Sequence, residues 1–253
     1  LGIGLCAGVA TESISVERIT RWLPFVMDPH DARDALFNKS LHPASVPQTW
    51  EELLLEYALA REVLREIVTQ ARPGWLQGGH RLLADTPQWD LMIGAGRTLT
   101  QTPHPGYAAL LLLDALEPVG VSQLALDGSG IAAALGAVAG VQPLTAAEVV
   151  EHDAFLNLGT VVSPLGTARP GEVALRVKAC YADGQEFQQE VMYGSITVIP
   201  LGTGERATLE LRPTRRFDMG LGEPGRDVTA EAEGGILGLI IDARGRPLEL
   251  PSN

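Results

Sequence analysis

The pattern of the chain changes once, near Glu151, and that change limits what the chain can fold into. Before it, apolar residues recur at helical spacing and alternate with short strand-like runs. Thr49-Trp50-Glu51-Glu52 has the spacing of a capping box, with Thr49 at the helix N-terminus and Glu52 reaching back. Leu53, Tyr57, Ala60, Leu64 and Ile67 then fall on one helical face, and Arg72-Pro73-Gly74 is expected to stop that helix. Leu91-Met92-Ile93, followed by Gly94-Ala95-Gly96, reads as a buried strand ending in a glycine turn. A helix is expected from Tyr107 to Leu116, entered through Pro105-Gly106. A strand is expected from Val121 to Asp127, and a helix of small residues from Gly130 to Gly140. Strand, helix, strand, helix implies parallel pairing with helical crossovers, an α/β layer over residues 1–151.

After Glu151 the runs shorten and turn signals separate them: EVALRVKACY, QEVMYGSITVIP, RATLELRP and GGILGLIIDARGRPLEL. Asp183-Gly184 is a hairpin signal of the type I′ kind, whose central positions need positive φ. Pro170-Gly171 and Arg244-Gly245 are further turn candidates. Residues 152–253 are therefore expected to form a compact β-sandwich or barrel, and the fold class is α/β plus all-β. No internal repeat is evident.

The length, 253 residues with 45% hydrophobic, is enough for one large domain or two ordinary ones. A net charge of −12 argues against nucleic acid or an anionic membrane as partner. Cys6 and Cys180 form no CxxC pair and read as packed thiols. No apolar run reaches the ~18 residues of a membrane span, and no cleavable signal pattern is present, so a cytoplasmic location is the expectation. The opening LGIGLCAGVA reads like the middle of an element, and the chain is expected to be the C-terminal piece of a longer protein.

Few motifs carry chemistry. There is no GxxxxGK[ST] phosphate loop and no GxGxxG in a strand-to-helix setting. His30, His42, His80, His104 and His152 lack ligand spacing and read as surface or structural histidines. Ser195 in YGSIT is not a nucleophile elbow. Asp127-Gly128-Ser129-Gly130 follows a strand and precedes a helix, where open α/β sheets place ligands. Turn chemistry favours a tight turn there, with Asp127 capping the helix. Arg212, Arg215 and Arg216 form a small basic cluster that suits a phosphate or an acidic partner, although a solvated loop is the simpler reading. Gly94 and Gly96 leave room for a flat ligand against the backbone, but glycine turns after strands are common. No catalytic residue and no metal ligand is expected.

Several longer blocks carry a resemblance. ITRWLPF (Ile19–Phe25), NKSLHPASVPQT (Asn38–Thr49), EYALAREVLR (Glu56–Arg65), DLMIGAGRTLTQTPHPGYAALLLLDALEP (Asp90–Pro118), ARPGEVALRV (Ala168–Val177) and GGILGLIIDARGRPL (Gly234–Leu248) together resemble the C-terminal part of the glutamate (methylaspartate) mutase accessory family, MutL/GlmL. The mismatch-repair protein that shares the MutL name is unrelated. The resemblance implies an actin-like ATPase fold of the actin, sugar kinase and Hsp70 superfamily. Residues 1–151 would then be part of an RNase H-like α/β domain. It implies that Gly94, Ala95, Gly96 and Arg97 face the adenosine of a nucleotide. It also implies an adenosylcobalamin-dependent mutase as partner, with a chaperone-like role in reactivation or assembly. The acidic, glycine-rich phosphate hairpins of that superfamily do not occur here. ATP with Mg is therefore expected of the full-length protein at most, and no cofactor or ATP turnover of this chain alone. A non-catalytic protein-binding scaffold and a small-molecule kinase relative are the alternatives.

Overall fold

The computed structural model describes residues 14–77, 88–151 and 154–249, with the backbone alone at 72–77 and 151. Cys6, His80 and His152 lie outside the described side chains. The chain divides into two compact units, one of residues 1–80, 111–116 and 250–253, the other of residues 81–110 and 117–249.

The first unit is helical, with helices at Val16–Thr20, Pro29–Leu41 and Trp50–Gln77. The capping box forms: the Glu52 amide donates to Thr49 Oγ1 (3.2 Å), and Glu52 Oε2 accepts from the amides of Gln48 (2.6 Å) and Thr49 (3.4 Å). The helix does not stop at Arg72-Pro73-Gly74 but continues to Gln77. A proline inside a helix deletes one hydrogen bond and crowds one carbonyl, which a long helix can absorb. The buried stripe also differs from the expected face. Tyr57 of the expected face is buried, together with Leu55, Ala58, Leu59 and Glu62, whereas Leu53, Ala60, Leu64 and Ile67 are half-buried. Leu55, Ala58 and Leu59 pack with Ile19 and Leu36 of the two shorter helices and with Ile14 and Leu23, which flank the first of them. A charged residue thus occupies a place that hydrophobic periodicity assigns to apolar ones.

The second unit is built on two sheets. Strands β1 (Leu91–Ala95), β2 (Gly120–Asp127), β3 (Leu156–Ser163), β7 (Ile196–Ile199) and β11 (Leu239–Asp242) form one, in the order β1-β2-β3-β11-β7. β1 and β2 are parallel, as the strand–helix–strand pattern implies, and β2 pairs antiparallel with β3. The second sheet is antiparallel, β10-β8-β5-β6, from Val228–Glu233, Arg206–Pro213, Val173–Tyr181 and Glu186–Met192. A short ribbon pairs β4 (Leu165–Gly166) with β9 (Phe217–Asp218). Val162, Ile199, Leu239 and Ile241 of the first sheet share one buried cluster with Leu175, Val177, Leu209 and Leu211 of the second. The β-rich part is therefore a sandwich. The boundary expected near residue 151 runs through the mixed sheet, because β1 and β2 come from before it and β3, β7 and β11 from after it.

The hairpin at Asp183-Gly184 forms between β5 and β6, but not as type I′. Only Gly184 has positive φ (85°), and its amide donates to the Tyr181 carbonyl (3.0 Å). That is a type I turn closed by a left-handed glycine, the three-residue alternative to the two-residue loop. Asp183 Oδ1 accepts from the Gln185 amide (2.9 Å), which holds the turn.

Candidate functional site

Two motifs far apart in sequence meet at the C-terminal ends of β1 and β2. The parallel register sets Gly94 opposite Leu126 and Ala95 opposite Asp127. Gly96-Arg97 and Gly128-Ser129-Gly130 therefore leave the sheet side by side, at the edge where open α/β sheets receive ligands.

The first turn is shaped by Gly96. Its φ is +98°, and its carbonyl accepts from the amides of Leu99 (3.1 Å) and Thr100 (3.0 Å) and from Thr100 Oγ1 (3.1 Å). These bonds start the short helix Arg97–Thr100. Gly94 is buried within the strand, while Ala95, Gly96 and Arg97 are exposed. No atom lies within 4 Å of where a Cβ on Gly96 would sit. A valine there would find space yet strain the backbone, because its β-branched side chain disfavours positive φ. The Arg97 side chain makes no hydrogen bond or ion pair among the described residues.

The second turn is organised by Asp127, which is buried although charged. Its Oδ1 accepts from the Ile131 amide (3.0 Å) and its Oδ2 from the Ala132 amide (2.8 Å). Both oxygens thus satisfy amides that the helix Ala132–Ala139 leaves open at its N-terminus. The capping reading of Asp127 holds. Positions where a Cβ on Gly128 or Gly130 would sit are also open, and the glycine turns present backbone rather than side chains.

The remaining candidates are tied into structure. His104 Nδ1 accepts from the Gly106 amide (3.0 Å) at the start of the helix Pro105–Leu116. Ser195 Oγ donates to the Met192 carbonyl (2.7 Å) in an exposed turn. Among the described residues no three His, Cys, Asp or Glu side chains come together as a metal site, and no helix is long and apolar enough to cross a membrane. The arginine cluster splits: Arg212 pairs with Glu210 (2.9 Å) and Asp227 (3.9 Å), and Arg216 with Glu172 (2.9 Å).

Two buried carboxylates had no signal in spacing alone. Fully buried Glu62 accepts from Arg18 Nε (2.9 Å), Arg21 Nη2 (2.7 Å) and Trp22 Nε1 (2.8 Å). Burial pushes this carboxyl up. The hydrogen bonds of Trp22 and Arg21 and the charges of Arg21 and Arg18 outweigh it and hold the carboxyl below the ordinary glutamate value. The guanidinium groups of Arg21 and Arg61 stand 5.8 and 5.2 Å from the Trp22 ring centre. Asp242 is equally buried, between Arg244 (2.9 Å) and Arg246 (2.7 Å). Burial raises its carboxyl too, and the hydrogen bond of Arg244 with the charges of Arg246 and Arg244 brings it below the ordinary value. Apart from Arg18, just before ITRWLPF, the arginines and acids of both clusters lie in blocks already quoted, ITRWLPF, EYALAREVLR and GGILGLIIDARGRPL, but nothing in the spacing paired them.

A family model described as MutL protein matches residues 1–154, more than half of the chain. No curated protein and no solved structure matches it.

Proposed function

The chain belongs to the MutL family of glutamate mutase accessory proteins, and from that premise we propose that it is part of a chaperone-like, nucleotide-binding accessory protein of adenosylcobalamin-dependent glutamate mutase. The observation that carries the nucleotide part is the register that sets Ala95 beside Asp127. It aligns two glycine turns, Gly94-Ala95-Gly96 and Gly128-Ser129-Gly130, in which Gly96, Gly128 and Gly130 have open space where a side chain would project. A base can lie flat on such a surface, and exposed Arg97 is placed to meet a polar group of the same ligand. The parallel β1–helix–β2 unit is compatible with an RNase H-like half of an actin-like ATPase.

Among the described residues, none beside these two turns is placed to hold a nucleotide's phosphates or a metal. The chain alone is proposed to lack ATP turnover, because none of the described residues is placed to hold a metal near the phosphates and orient a water. The geometry weakens the kinase alternative. Asp127 is the buried acid at these strand ends, and it uses both oxygens for capping rather than for activating an acceptor hydroxyl.

The test compares the full-length protein with this chain for binding of a fluorescent ATP analogue, for ATP hydrolysis, and for capture of purified glutamate mutase. Ala95→Trp and Gly128→Val add bulk to the surface, where Ala95 is exposed and Gly128 lies outside the positive-φ region. Each is expected to weaken analogue binding by the full-length protein at least about tenfold, with an unchanged melting temperature. Unchanged affinity in folded variants would remove the nucleotide role of this surface. Failure of the full-length protein to bind the mutase, with or without ATP, would remove the accessory role and leave the scaffold reading.

A further inference from the structure

Arg215 and Arg216 lie in LRPTRRFD, 46 residues or more from Arg169 in ARPGEVALRV. The fold brings all three to the wall of one open pocket of about 560 Å³, which Thr167, Ala168 and Pro224 complete. The cause is the β4–β9 ribbon. Gly166 pairs with Phe217, so the residues that follow the one and precede the other emerge together. The approach is close: a Cβ on Gly166 would collide with the carbonyl oxygen of Arg216 and the ring of Phe217. Phe217 is fully buried and packs against the Tyr193 ring, 5.9 Å between centres, which anchors the strand that directly follows Arg215 and Arg216.

Both arginine-bearing turns have pinned backbones. The Phe217 amide donates to Thr214 O (2.8 Å) and the Thr214 amide to Ala174 O (2.9 Å), while the Glu172 amide donates to Arg169 O (3.0 Å). The side chains are less committed. Arg216 Nη1 donates to Glu172 Oε2 (2.9 Å), which also accepts from the Arg169 amide (3.3 Å). The side chains of Arg169 and Arg215 make no hydrogen bond or ion pair among the described residues. In a chain of net charge −12, two guanidinium groups without acidic partners on one pocket wall form an unusual concentration of positive charge.

We propose that this pocket binds a phosphoryl dianion, supplied as free phosphate or as a phosphate ester. Three arginines less Glu172 leave a local charge of two, which matches the ~−2 of a phosphoryl group near neutral pH. A carboxylate carries one charge and two oxygens, and Glu172 already supplies one such group. A phosphoryl group offers three oxygens to several forked donors, the geometry in which arginine outperforms lysine.

The experiment is a titration of the full chain with inorganic phosphate, with sodium acetate at matched ionic strength, and with a blocked pentapeptide bearing one phosphoserine, followed through the arginine Nε–Hε signals. Saturable shifts of the Arg169 and Arg215 signals with phosphate, absent with acetate, are expected. Arg169→Gln with Arg215→Gln should weaken binding at least about tenfold while leaving the amide spectrum folded. Arg206→Gln, at an exposed arginine away from the pocket, should change nothing. If the double variant does not fold, Arg215→Gln alone is read in the same way. Equal affinity for phosphate and peptide identifies the free group as sufficient, and tighter peptide binding identifies an esterified source. Shifts that do not saturate, that acetate reproduces, or that persist at full affinity in the variant would overturn the proposal.

Discussion

Glu62 of the first unit and Asp242 of the second are both buried carboxylates held between two arginines, and the two arrangements differ in where the arginines come from. Asp242 is held by Arg244 and Arg246, two and four residues away, and Arg246 is only 2% exposed. Arg246 also donates to the carbonyls of Pro118 (3.3 Å) and Gly245 (2.8 Å). Glu62 is held by Arg18 and Arg21, more than forty residues earlier, whose side chains are 41% and 39% exposed. The local knot seals Asp242 and Arg246 from water and leaves Arg244 at its edge. The long-range clasp seals only the acid, and its arginines can turn outward. A buried ion pair is weak grounds for net stability, yet removing one partner is costly when the other cannot reach solvent. The two sites should therefore respond differently to the same kind of substitution.

The largest effect is expected from Asp242→Asn, which leaves Arg246 buried without a counter-charge. It should lower unfolding stability by about 3–5 kcal/mol, read from urea melts of the β-rich unit by circular dichroism. Glu62→Gln keeps an acceptor and frees arginines that can hydrate, so a loss of about 1–3 kcal/mol is expected. Trp22, whose indole donates to Glu62, reports this change through its fluorescence. Equal losses at the two sites would break the comparison.

Acid separates the sites from ordinary surface pairs. Both carboxyls are held below their usual values, so the unfolded chain binds more protons than the folded one in the acid range. Their contribution is fully present above the unfolded carboxyl values, about pH 4, and is lost as pH falls through the depressed folded values. Stability measured from about pH 6 to pH 2 should fall less steeply in Asp242→Asn and Glu62→Gln than in the parent. A parallel fall in all three would show that neither acid drives the acid response. The smallest effect is expected for Arg176→Gln, which breaks the pair with Glu190 (2.8 Å) on the open face of β5 and β6. Both partners are more than half or half exposed, and a change under about 0.5 kcal/mol is expected in the same melts.

Short-range physics was readable in the sequence, and long-range pairing was not. The capping box at Thr49 and the cap at Asp127 depend on atoms within five residues, and both stand where the residue types put them. The turn at Asp183-Gly184 was placed correctly, but its class depends on whether one residue or two takes positive φ, and Asp-Gly permits either. Pro73 does not end its helix, because the proline penalty competes with the packing of the whole helix. Partners across the mixed sheet were invisible, since β1 and β2 show no mark of the strands beyond Glu151 that extend their sheet. Of the candidate site, sequence identified the two glycine turns separately, and only the register showed that they are neighbours. The pairing of Arg169 with Arg215 and Arg216 likewise depends on a ribbon of two residues per strand, too short to carry a periodic signal.

The Arg61–Asp114 contact (2.6 Å) joins two segments of the first unit that are far apart along the chain. Arg65 reaches the same residue through its backbone carbonyl (3.0 Å). On a ribosome, the helix that carries both arginines emerges first, then some thirty residues assigned to the other unit, and only then Asp114. The first unit waits for a counter-charge that arrives after the second has begun to appear. A chain released after residue 80 would carry Arg61 and Arg65 without Asp114.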